Sequence, residues 1–130
     1  MNRPVLELGD NSVLHVSTKV EQGAVVLELS GRFDFHVMDH FLSALEEAET
    51  LHRPRHVILD LSQVNFIDSM AIGRVVTTCR KLNQASIRFT VAGQQGEVDS
   101  TLKDIDFDGI VPTVTTVEEA LTLPPWQHSL

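Results

Sequence analysis

The sequence predicts a single α/β domain, a mixed β-sheet with helices packed against it. Short apolar runs bounded by polar residues, such as Val57-Ile58-Leu59, alternate along the chain with longer segments whose apolar residues recur at helical spacing. The order reads ββαβαβαβα, which puts a hairpin first and a helix between each later pair of strands. At 130 residues with a 42% hydrophobic share, the chain fills one core and leaves no room for a second.

Met1 to Asn11, with Pro4 and Gly9 around Val5-Leu6-Glu7-Leu8, suits an arm or a short edge strand; residues 12–123 form the domain and 124–130 a tail. Ser12 to Ser17 and Ala24 to Ser30 are β-like, with Glu21-Gln22-Gly23 as the turn of a hairpin. From Asp34 the period changes. Val37, Met38, Phe41, Leu42, Leu45 and Ala48 make one stripe of an amphipathic helix, with Asp39, Glu46, Glu47 and Glu49 largely outside it. Asp34 is placed to cap that helix, and Pro54 forbids its continuation.

A strand through Val57-Ile58-Leu59 and Val64-Asn65-Phe66-Ile67 then runs into Asp68, a residue type suited to a helix N-cap. Ile72, Val75, Val76, Cys79 and Leu82 form the apolar face of the helix that follows. Ser86 to Ala92 reads as a strand, Gln95 to Lys103 as a weaker helix with Val98 and Leu102 inward, and Ile110 to Val114 as an edge strand interrupted by Pro112. Thr116 caps a short last helix with Glu118 and Glu119 in its first turn. Pro124-Pro125 ends it, ahead of Trp126 and the tail.

A formal net charge of −8 argues against a nucleic-acid or anionic-membrane surface and favours a protein partner with basic patches. The lone Cys79 cannot form an internal disulfide and suits a reducing compartment. The N-terminus lacks the basic segment, apolar run and cleavage site of a leader, and no apolar run approaches the ~20 residues of a membrane span. The expectation is a cytoplasmic protein without membrane insertion.

Asp68 as cap leaves Ser69 in the first turn of its helix with the hydroxyl toward solvent. A helix start presents unpaired N–H donors and partial positive charge, so a phosphate on Ser69 is accommodated without refolding. Other chemistry is poorly supplied. His36 and His40 stand at the i, i+4 spacing of zinc ligands, but nothing elsewhere completes a site, and exposed histidines are the better reading. Asp104-Ile105-Asp106-Phe107-Asp108-Gly109 lacks the remaining spacing and distal glutamate of a calcium loop and reads as a solvated turn. Ser69 has no Gly-x-Ser-x-Gly elbow, and the chain has no Walker-type loop. The expectation is a non-enzyme that needs no cofactor or metal.

Asp68-Ser69-Met70-Ala71-Ile72-Gly73 after a β-like run resembles the Asp-Ser-Ser-Gly-Leu-Gly signature of the STAS domain family of bacterial anti-sigma factor antagonists. Gly31-Arg32-Phe33-Asp34 looks like that family's upstream Gly-Glu-Leu-Asp turn, and the similarity runs in order from about residue 12 to 122. Met70 stands for a small polar residue and Ala71 for a glycine. The resemblance implies a STAS-like sandwich with about four helices on one side of the sheet, and it places Asp34 near Ser69. It further implies that Ser69 is phosphorylated by a partner that is both anti-sigma factor and serine kinase, with a histidine-kinase-like ATPase fold, and that a PP2C-type phosphatase reverses this. The implied contact surface is Asp34, Asp68, Ser69, Met70, Gly73 and Thr77. Two other readings are a constitutive STAS scaffold bound to a transporter ATPase and a small metal-dependent enzyme built on the two histidines.

Overall fold

The computed structural model describes residues 14–123; the arm at 1–11 and the tail at 124–130, Trp126 included, lie outside them. Strands β1 (Leu14–Glu21) and β2 (Ala24–Phe33) form the expected hairpin, antiparallel from Leu14 opposite Gly31 to Glu21 opposite Ala24. Gln22 and Gly23 turn the corner with φ of 54° and 81°, the left-handed pair that a tight hairpin loop demands.

A 3-10 turn over Phe35–Val37 leads into helix α1 (Met38–His52), which ends at Arg53 in the left-handed conformation just ahead of Pro54. Strand β3 (His56–Ile67), helix α2 (Ser69–Gln84), strand β4 (Arg88–Ala92) and helix α3 (Gly96–Asp104) follow. A second 3-10 turn (Phe107–Gly109), strand β5 (Thr113–Val114) and helix α4 (Val117–Leu121) complete the described residues. The sheet runs β1-β2-β3-β4-β5, parallel from β2 onward.

Two strands start later than their sequence suggests. The Ile87 N–H closes the end of α2 on the Leu82 carbonyl at 2.8 Å, so β4 begins at Arg88 rather than Ser86. The amides of Ile110 and Val111 both bond back to the Phe107 carbonyl, at 2.8 and 2.9 Å, which leaves only Thr113 and Val114 for the ladder.

Alternation along the strands sorts side chains to two faces. Val25, Leu27, Leu29, Val57, Leu59, Leu61, Phe89 and Val91 meet α1, α2 and α3 through Phe41, Leu45, Val75, Cys79, Leu82, Val98 and Leu102, forming the main core. Ala24, Val26, Ile58 and Ala92 point the other way and are covered by Ala120, Val117 and Leu121 of α4. The expectation that all four helices share one side is therefore corrected. Three do, and α4 packs on the reverse face, because the short apolar set of that helix matches the small patch of Ala24, Val26, Ile58 and Ala92.

Candidate functional site

Two strand-to-helix junctions lie side by side at one end of the parallel sheet. Their juxtaposition depends on irregular pairing: Glu28 pairs with Asp60 but Arg32 pairs with Phe66, so the offset between β2 and β3 grows from 32 to 34 through two register shifts. Phe33 consequently faces Ile67, and the aspartates that follow, Asp34 and Asp68, leave the sheet as neighbours. The Asp68 N–H bonds the Phe33 carbonyl at 3.3 Å across the junction.

Asp68 holds both loops with one carboxylate. Its Oδ1 accepts the Ala71 N–H at 2.9 Å, the N-cap bond of α2, and its Oδ2 accepts the Phe35 N–H at 3.1 Å from the other junction. The cap that the sequence predicts is thus present, with an added clamp that it did not signal. Ala71 is fully buried at the third helical position, where a methyl group suits both the helix and the core.

Asp34 is turned inward, with its side chain 6% exposed. It caps the 3-10 turn through the His36 N–H, at 3.1 Å, and meets Arg32 Nε at 3.4 Å. The Arg32 guanidinium also lies 4.0 Å from the Phe66 ring centroid. Asp34 therefore braces the loop ahead of α1 rather than capping α1 itself.

Ser69 is exposed at the first position of α2, as its place after the cap requires. Met70 is 56% exposed and so does not pack inward. Gly73 and Thr77 lie on the same outer stripe, both exposed, with the Thr77 hydroxyl donating to the Gly73 carbonyl at 3.0 Å. A Cβ added at Gly73 would meet nothing within 4 Å, so the bare backbone there answers to no internal constraint.

The sequence reading omitted Phe35. It is 55% exposed, sits in the clamped loop, and stacks on His36 with ring centroids 4.0 Å apart. Its only signal was that it falls outside the stripe of α1. With Met70 it makes two large exposed apolar residues at the junctions that Asp68 joins.

His36 and His40 are both exposed, and no three His, Cys, Asp or Glu among the described residues are grouped to hold a metal ion. Burial pushes the Cys79 thiol up from its ordinary value, which holds it neutral within the core. No helix among the described residues is long and apolar enough to cross a membrane.

Comparisons with known proteins agree with this architecture. Over 109 residues the chain is 25% identical to the anti-sigma F factor antagonist of Paenibacillus polymyxa, spanning 84% of this chain and 93% of that protein. An anti-sigma factor antagonist from Mycobacterium paratuberculosis superposes with a TM-score of 0.78 at 22% identity, over 88% of this chain and 97% of the other. The Bacillus cell fate determinant SpoIIAA in its phosphorylated form superposes with a TM-score of 0.60 at 19% identity, over 84% and 96%. Residues 15–120 match the family described as the STAS domain, and with most of its length inside that match the chain belongs to the STAS domain family.

Proposed function

We propose that this chain is an anti-sigma factor antagonist whose grip on its partner is switched by phosphorylation of Ser69. In the unmodified state it docks an anti-sigma factor of the histidine-kinase-like ATPase class through Asp68, Ser69, Met70, Gly73 and Thr77, in the cytoplasm, and so frees a sigma factor. Asp34 serves the same surface indirectly, by holding the loop that presents Phe35. The partner supplies ATP and the kinase activity, a PP2C-type phosphatase restores the hydroxyl, and the chain itself works without a cofactor or catalytic residue.

The observation that carries this reading is the exposed Ser69 directly after the capping Asp68, with Met70 exposed next to it and the exposed Phe35 tied to the same aspartate through its N–H. Phosphorylation adds about −1.5 to −2 charges at neutral pH. The helix start tolerates them in the free protein. In a docked complex the same dianion would have to be desolvated beside the Asp68 carboxylate, and leaving a charge unmatched in an interface costs several kcal/mol.

Incubation of the purified chain with the cognate anti-sigma factor and ATP should add one phosphate by intact mass, absent in Ser69→Ala and removed by a PP2C-type phosphatase. Ser69→Asp should weaken binding at least about tenfold while Ser69→Ala keeps it. A phosphate that persists on Ser69→Ala would move the switch, to Ser62 or Thr77 for instance. Equal affinity of all three proteins would reduce Ser69 to part of a helix start.

A further inference from the structure

The chain is acidic as a whole, yet its charges are sorted by helix. Helix α2 carries Arg74, Arg80 and Lys81 and no aspartate or glutamate, whereas α1 carries Asp39, Glu46, Glu47 and Glu49 and no lysine or arginine. All three cations of α2 are exposed, and none has an ion-pair partner among the described residues. Met70, Arg74, Thr77 and Lys81 recur at helical spacing, with Ser69, Gly73 and Arg80 beside them, so the cations continue the stripe that begins at the Ser69 end. At that end Phe35 and Met70 add exposed apolar surface.

We propose that this stripe docks a protein surface that is acidic along α2 and offers an apolar socket to Phe35 and Met70. This deepens, and rests on, the reading of the chain as an anti-sigma factor antagonist. It also reverses what net charge alone suggests: the acidity lies elsewhere on the molecule, and the partner's contact face is acidic rather than basic. The sign fits the switch. A dianion at Ser69 both offsets the cationic stripe and faces the partner's own carboxylates, so one modification removes attraction and adds repulsion. Nucleic acid is the weaker occupant, since three cations on one helix are set in a chain of net charge −8.

The test is calorimetric titration of the full chain with its purified cognate anti-sigma factor at 50 and 500 mM NaCl. Affinity should fall about tenfold or more with salt, and Arg74→Glu combined with Lys81→Glu should cost about tenfold at low salt and flatten the salt dependence. Glu46→Lys with Glu47→Lys, on α1, should stay within about twofold of the parent. Circular dichroism of each variant checks that these exposed changes leave the fold intact.

The proposal is overturned if the α2 reversal binds as the parent does, or more tightly, while Ser69→Asp still releases the partner; the antagonist reading then stands alone. It is overturned equally if light scattering at low salt shows self-association that the reversal abolishes, which would make a second copy the occupant, or if the chain retains duplex DNA through the same residues. No binding of the anti-sigma factor by the parent removes both readings.

Discussion

At the scale of single residues, Asp68 has the most to lose. Capping uses one of its oxygens and the clamp on the Phe35 N–H uses the other. Asp68→Ala removes both acceptors, and an N-cap alone is worth ~1 kcal/mol. The predicted loss is about 1–3 kcal/mol in urea denaturation, because the Phe35 N–H also forfeits its partner. Asp68→Asn separates the two functions. Its amide oxygen still caps Ala71, but its NH2 faces the Phe35 N–H, donor against donor. Stability should fall by less than about 1 kcal/mol, while partner affinity drops as far as in Asp68→Ala. Equal stability losses in the two variants would show that the cap bond to Ala71 adds nothing beyond the loop clamp.

At the scale of elements, α2 keeps a glycine where helices seldom want one. Gly73 has no close neighbour and lies in the helix interior, so replacing it by alanine should stabilise the fold by about 1 kcal/mol, seen as a raised urea midpoint. The accompanying prediction is weaker docking, since a methyl group would stand where a partner can approach bare backbone. Stabilisation with unchanged affinity would leave Gly73 outside the contact. Gly93 is the opposite case: at φ +82° a Cβ would lie 2.7 Å from Asp60 Oδ1, so that glycine is fixed by the fold itself.

The same scale explains what could be read from sequence. β3, Asp68 and α2 were legible because a strand, its cap and an amphipathic stripe are all local patterns. The register shifts that bring Asp34 beside Asp68 leave no local trace, since bulges are settled by pairing with another strand. Phe35 was hidden in a 3-10 turn, where the helical period that flags exposed residues has not yet begun. The side chosen by α4 was illegible for a similar reason: five residues reveal an apolar stripe, not which face of a distant sheet will receive it.

At the scale of the whole molecule, the two faces of the sheet are buried to different degrees, and the less covered one holds a titratable group. His56 opens β3 on the face that α4 covers only in part, with Nε2 2.8 Å from the buried Thr90 hydroxyl and Arg88 opposite it on β4. Burial first, and the Arg88 charge second, lower its pKa from 6.5 to about 4. A depressed histidine is neutral in the fold at pH values where the unfolded chain would protonate it. Stability is therefore full above about pH 6.5, falls as pH drops from there toward 4, and stops falling below 4 on this account. Partial exposure screens the effect, which leaves about 1–2 kcal/mol. Urea denaturation of the parent at pH 7, 5.5 and 4 should show that loss, and His56→Gln, which keeps a polar partner for Thr90 without a titrating ring, should show a smaller one. An identical acid response in both proteins would assign it to other groups and would mean that His56 takes up its proton in the fold at the same pH as in the unfolded chain.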